Sequence, residues 1–153
     1  MGTYSFISSG KNQPQIIKET PVVTPLPIGI KTPLRLDTKN IFAMHYNLED
    51  QIQDNLRNLL LTNWGERVGF YKFGSNLREL TSEISSAEAF DEAAIARIRD
   101  AVNTWMPFIT LNDFASNIDE NNSNLGIVKI TITYNVPQLS IENKALQIAL
   151  YVI

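Results

Sequence analysis

The sequence predicts an α+β domain: three helices packed on a C-terminal antiparallel three-stranded sheet, preceded by an extended proline-rich arm. Three observations carry that prediction. Apolar residues recur at three- and four-residue intervals from Leu48 to Trp105, they alternate with period two beyond Pro107, and five of the seven prolines fall in the first 33 positions. With 153 residues, 44% of them hydrophobic, the chain can bury the core of one such domain.

Residues 1–40 read as the arm. Pro14, Pro21, Pro25, Pro27 and Pro33 remove backbone donors and resist both helix interiors and central strands. Val22, Val23, Leu26, Ile28 and Ile30 are too many apolar side chains for a solvated linker, so the arm is expected to lie along a partner or along its own domain. Residues 41–153 read as the folded domain. Asn47 can cap a first helix, with Asp50 near its positive end and Leu48, Ile52, Leu56, Leu59 and Leu60 as its stripe, stopping between Thr62 and Gly65. Gly74 is expected at positive φ, followed by Ser75 as the cap of a short second helix bearing Leu77, Leu80 and Ile84. Ser85 and Glu88 form a capping box for a third helix, striped by Phe90, Ala94, Ile95, Ile98, Val102 and Trp105 and ended by Pro107. Strands are then expected over Phe108 to Ala115, around Ile130, Ile132, Tyr134 and Val136, and from Ala145 to the terminus, with Asn117 to Asn124 as polar turn material.

The 13 basic and 16 acidic residues give a net charge of −3, and the basic ones form no run, which argues against nucleic acid as a partner. The absence of cysteine excludes disulfides, thiolate metal sites and cysteine nucleophiles. Neither a signal peptide nor a membrane span is readable, so synthesis in a cytosol is the expectation. His45 has no second histidine to complete a metal site and reads as a surface or packed residue; no phosphate loop or nucleophile elbow is present. Glu66, Glu79, Glu83, Asp91 and Glu92 suffice to nominate glycosidase pairs, but any acidic protein of this size offers as many. No enzyme, cofactor or metal is expected. Trp64, Phe70, Tyr71 and Phe73 could form a sugar-stacking platform, although such clusters are more often a satellite core or an interface anchor.

In the last strand Leu146, Ile148, Leu150 and Val152 alternate with Ala145, Gln147, Ala149 and Tyr151, and the sequence closes on Tyr151, Val152 and Ile153 without a charge. Such a strand is either central and covered, or an unguarded edge that invites another chain to pair with it.

The segment LLLTNWGERVGFYKFGSNLREL, Leu59 to Leu80, packs a helix stop, a charged turn and a helix start into few residues. The spacing of Thr62, Gly65-Glu66-Arg67, Phe73-Gly74, Leu77 and Leu80 resembles the signature of the phage baseplate-wedge family, which includes the type VI secretion sheath initiator and members labelled tail lysozymes. The resemblance runs from about Leu34 to Ile153. It implies a non-catalytic virion protein, assembled in the host cytoplasm, that sits in a six-fold ring in the tail baseplate. Its implied partners are wedge proteins, tail tube or hub proteins and the tail sheath subunit, with neither nucleic acid nor membrane among them. The implied mechanism is acceptance of sheath strands on the C-terminal sheet, at Leu146, Ile148, Leu150, Tyr151, Val152 and Ile153, which templates sheath polymerisation. A type VI or tailocin baseplate is the neighbouring variant, and a peptidoglycan-degrading tail lysozyme or a stand-alone binding module are the readings from other classes. Glu66 and Arg67 read plainly as a solvent ion pair after a Gly65 helix cap; the resemblance implies instead a latch in which Arg67 reaches a carbonyl or carboxylate. The family carries Trp-Glu-Pro-Arg-Ile where this chain has Trp105-Met106-Pro107-Phe108-Ile109, so its charged wedge contact becomes an expected apolar one at Met106 and Phe108. The arm does not match the family pattern and is expected to bind a neighbouring wedge or tube component.

Overall fold

The computed structural model describes residues 25–38, 41–82, 87–119 and 126–151. Near its start, β1 (Gly29–Ile30) pairs antiparallel with β2 (Met44–His45), placing Gly29 opposite His45, and an isolated bridge joins Leu36 to Phe42. The described part of the expected arm therefore turns back on itself, and its pairing crosses the expected boundary between residues 40 and 41. Residues 1–24 of the arm lie outside the described residues.

The first apolar stripe forms α1 (Leu48–Leu61), with the Asn47 side chain accepting from the Glu49 N–H at 3.1 Å and Glu49 and Asp50 in the first turn. Ile52, Leu56, Leu59 and Leu60 are its buried face. The second helix, α2 (Leu77–Ser82), buries Leu77 and Leu80 as expected; Ile84, and Ser85 of the expected capping box, fall outside the described residues. Ser75 is not its cap. The Ser75 hydroxyl turns inward and donates to the Leu60 carbonyl at 2.7 Å, while Asn76, at φ 52°, precedes the helix. The third helix, α3 (Ala87–Trp105), buries Phe90, Ala94, Ile98, Ala101 and Val102 and stops two residues before Pro107, whose ring disfavours helical geometry in its predecessor.

Beyond Pro107 the chain forms a meander, β3 (Thr110–Asp119), β4 (Ile127–Val136) and β5 (Ile141–Tyr151), ordered β3-β4-β5 and antiparallel throughout. β4 alternates without a break, Val128, Ile130, Ile132, Tyr134 and Val136 facing the core. β3 starts later and runs further than expected, taking in Asn117, Ile118 and Asp119 from the anticipated turn. β5 starts at Ile141 rather than Ala145, after a short 3-10 turn (Pro137–Leu139). The ladder shifts register past Leu111 on β3 and past Tyr134 on β4. There the Asn112 amide donates to Asn135 Oδ1 at 2.9 Å and Asn143 Oδ1 at 3.2 Å, knitting three irregular strand ends together. The helices cover one face of this sheet. Ser116 on β3 donates to Asp91 on α3 at 2.5 Å, and Lys144 on β5 pairs with Glu49 on α1.

One carboxylate holds the small hairpin to the helical layer. Asp54, on α1, accepts the Thr32 main-chain N–H at 2.9 Å and contacts His45 Nε2 at 2.7 Å, with the Arg57 guanidinium 3.5 Å away. Burial opposes ionisation of Asp54, but the Thr32 and His45 hydrogen bonds outweigh it and hold the carboxyl below its ordinary range. His45 is thus packed, as expected of it. Asp54→Ala leaves the half-buried Thr32 N–H and the buried His45 ring without their partner and is expected to cost about 2–4 kcal/mol in urea unfolding. Because the folded carboxyl titrates below its unfolded value, its contribution is complete above about pH 4 and is lost as pH falls through the folded pKa. Acid unfolding of Asp54→Asn should therefore begin from a lower plateau with a shallower decline; a decline as steep as that of the wild type contradicts the assignment.

Candidate functional site

An α-helix ends with carbonyls that have no partner in the next turn. In α1 the donors come from the cap residue Thr62 and from the returning chain at Ser75 and Asn76. The Asn58 carbonyl accepts from Thr62, both N–H and hydroxyl, the Leu59 carbonyl from the Ser75 N–H at 3.2 Å, the Leu60 carbonyl from the Ser75 hydroxyl, and the Thr62 carbonyl from the Asn76 N–H at 3.3 Å. Gly74 permits this approach, since at φ 113° a Cβ would stand 2.2 Å from the Thr62 carbonyl oxygen. Gly65 also sits at positive φ, and its N–H closes the intervening loop on the Tyr71 carbonyl at 2.8 Å.

Within that loop Glu66 does not pair with Arg67. Its two oxygens accept from the Asn63 N–H and the Asn63 amide, each at 2.8 Å, and the Asn63 main-chain bond above all holds the carboxyl below its ordinary range. The Arg67 guanidinium lies over the Phe73 ring, 4.2 Å from its centroid, rather than on a carbonyl or carboxylate. Phe73 and Phe70 meet the Trp105 ring edge-on at 5.1 and 5.9 Å. The latch expected of the Gly-Glu-Arg turn is therefore an aromatic stack capped by a cation, with Glu66 as a separate turn lock. On the far side, Trp64 donates to the Gly74 carbonyl, and Arg97 of α3 donates to the Asn76 carbonyl at 2.7 Å and pairs with Glu79 at 3.0 Å.

The end of α1 and the Arg67–Phe73–Trp105 stack wall an open groove of about 670 Å³, lined by Asn55, Asn58, Leu59 and Thr62 of α1, by Glu66, Arg67 and Phe73, and by Trp105, Met106 and Phe108. The signature residues Glu66, Arg67, Phe73 and Trp105 are brought together here, while Gly65, Gly74 and Pro107 shape the backbone around it. Met106 is only 7% exposed and belongs to the core, so it offers a partner little; half-buried Phe108 is the accessible member of that pair. Among the groove-lining residues Glu66 is the one carboxylate, and its pKa is moved down, the opposite of what a general acid requires. Of the other carboxylates nominated from sequence, Glu79 is held by Arg97 and Asp91 by Ser116, and Glu83 lies outside the described residues.

The expected strand interface lies elsewhere. β5 pairs with β4 along one side, and among the described residues no strand pairs with its other side. Leu146, Ile148 and Leu150 point into the core beneath the helices, so their side chains are not presented to a partner; Ala145, Gln147, Ala149 and Tyr151 are exposed. Val152 and Ile153 lie outside the described residues. Asp54, Asn76 and Arg97 carry contacts that their local sequence does not announce. An asparagine directly before a helix is a mild signal for the left-handed conformation Asn76 adopts; the other two act through contacts distant in sequence.

The sequence profile of the baseplate wedge protein gp25 family matches residues 46–138, from the residue before the Asn47 cap to the 3-10 turn, and stops short of β5. No curated protein matches the sequence significantly. Among solved structures, a chain of the six-fold symmetrised cryo-EM structure of the anti-feeding prophage baseplate aligns at TM-score 0.58 and 18% identity, over 70% of this chain and 82% of that one. A putative tail lysozyme from Geobacter sulfurreducens aligns at 0.54 and 21%, over 69% and 89%. A chain of the postcontracted pyocin R2 baseplate aligns at 0.50 and 17%, over 67% and 97%. At these identities the likeness is one of fold.

Gly74 gives the sharpest test of how the groove is held. Gly74→Ala combines a left-handed φ with a backbone clash and is expected to cost at least about 2 kcal/mol in thermal or urea unfolding. Gly69→Ala, at φ 83° but with open space around it, should cost less; equal costs would contradict the close approach of Gly74 to Thr62.

Proposed function

The chain belongs to the baseplate wedge protein gp25 family, and from that premise we propose that it is a non-catalytic baseplate component of a contractile tail-like particle whose C-terminal sheet templates the tail sheath. In this reading the protein resides in the baseplate in six copies around the tube, contacts neighbouring wedge and hub proteins through the groove, and accepts a strand of the first sheath subunits on β5. A type VI or tailocin baseplate is the same role in another machine.

The observation that supports strand acceptance is that, among the described residues, no strand pairs with the outer side of β5. An antiparallel edge strand turns alternate N–H and C=O pairs outward, so eleven residues present about five such pairs to an incoming strand. Natural edges are usually blunted by Lys, Pro or a bulge. From Ala145 to Tyr151 the strand carries none of these, and Lys144 at its start is turned to Glu49. Main-chain bonding to such an edge provides affinity without a side-chain pocket, and a ring of six edges would set the register of the growing sheath.

Deleting β5 is a poor test, because Leu146, Ile148 and Leu150 leave the core with it. Ala145→Lys/Ala149→Lys alters only exposed positions and should leave the melting temperature within about 3 °C of wild type while lowering affinity for purified sheath subunits at least about tenfold. Sheath binding at wild-type strength would refute strand acceptance at this edge. Purified protein is also expected to leave the turbidity of a peptidoglycan suspension unchanged; a loss abolished by Glu66→Gln would establish the muralytic reading instead.

A further inference from the structure

The small β1–β2 sheet is built with its polarity reversed. Side chains alternate between the two faces of a strand. Toward α1 stand Gly29 and His45, opposite one another in the register: His45 bonds to Asp54, and the space a Gly29 side chain would take is filled by the Gln51 carboxamide. The inward face is polar. Ile30 and Met44, also opposite one another, lie on the outward face, and Ile28 joins them by alternation. Ile28 and Ile30 are nearly half exposed; further along, Leu34, Leu36 and Ile41 are largely so, Leu36 at 82% and Ile41 at 78%. Two paired strands are marginal in water by themselves, and so many exposed aliphatic side chains on one short element exceed the ordinary scatter on a protein surface.

Charge says what covers this face. Lys31 and Arg35 are exposed among the apolar residues, with Asp37 the one carboxylate in the described residues 25–38 and 41–46. The element is cationic in a chain with 13 basic against 16 acidic residues. A membrane surface rewards each cation by about 1 kcal/mol, too little for two cations offset by a carboxylate. The β1 residues and their outward face also precede residues 46–138 of the family match, apart from both the groove and the β5 edge.

We propose that this outward face is a docking surface for a segment of another protein of the same particle, apolar along one side and bearing carboxylates that meet Lys31 and Arg35. The segment lies across Ile28, Ile30, Leu34 and Leu36 and completes the burial that the two short strands lack. This rests on the chain being a particle component. The test places a benzophenone amino acid at Leu36 in assembled particles, with Asn103 on α3 as the control position, and identifies cross-linked peptides by mass spectrometry after the chain itself has been detected in the purified particles. The expected product is a peptide of a different particle protein with carboxylates beside an apolar run, and its yield should fall about fivefold or more in Lys31→Glu/Arg35→Glu. Chain present without a cross-link at Leu36, a cross-link only to a second copy or to lipid, a peptide without carboxylates, or a yield indifferent to charge reversal each overturns the docking surface while leaving the baseplate reading intact. Absence of the chain from particles overturns both.

Discussion

The arrangement depends on how α1 ends. Its last carbonyls would be left at a semi-buried helix terminus, where an unpaired polar group costs about 1–3 kcal/mol. Those of Leu59 and Leu60 are satisfied by a stretch that returns after a twelve-position excursion from Thr62 to Gly74: Ser75 uses its N–H on Leu59 and its hydroxyl on Leu60, and Asn76 closes on the capping Thr62. Once those bonds form, α2 must start beside the end of α1, and residues 63–73 must bulge outward as a loop. The Gly-Glu-Arg turn, the Phe73 ring and Trp105 then meet because the two ends of the loop are pinned, and the groove is the consequence. Gly74 is the position where this closure is sterically decided.

A second layer of contacts stiffens that arrangement without adding apolar surface. Arg97 reaches from α3 to the Asn76 carbonyl and to Glu79, tying the third helix to the start of the second, while its guanidinium lies 5.6 Å from the Trp64 ring. Asp54 does the same for the hairpin. The sheet is treated differently: its inner face is sealed by all three helices, whereas among the described residues no strand pairs with the outer side of β5. The groove and the outer side of β5 are thus separate surfaces, one held by side-chain contacts and the other defined by main-chain groups.

The local features were legible because local physics decides them. The Asn47 cap, the stripe of α1, the stop before Pro107, the positive φ of Gly74 and the alternation of β4 all follow from residues within a few positions of one another. The failures share the opposite property. Ser75 has the chemistry of a cap, and only a bond across fifteen positions to Leu60 turns its hydroxyl inward. For Pro-rich residues 25–38 the sequence leaves open whether they lie along a partner or along their own domain, and it is the bond from Thr32 to Asp54, 22 positions away, that holds them to the domain. The resemblance sends Arg67 to a carbonyl or carboxylate, but Asn63 already occupies Glu66 and the guanidinium lies over the Phe73 ring. Whether β5 is central or an edge depends on sheet order, which alternation does not encode, and the same alternation that marks Leu146, Ile148 and Leu150 as a pair-forming strand also turns them inward.

The most direct measurement is a cryo-EM reconstruction of the assembled particle at the junction of baseplate and sheath. A strand of the sheath subunit is expected to lie antiparallel or parallel along Ala145–Tyr151, hydrogen-bonded to β5 as a fourth strand, with Leu146, Ile148 and Leu150 still buried beneath their own helices. A β5 edge facing solvent, or covered by a wedge protein while the sheath attaches elsewhere, would contradict it.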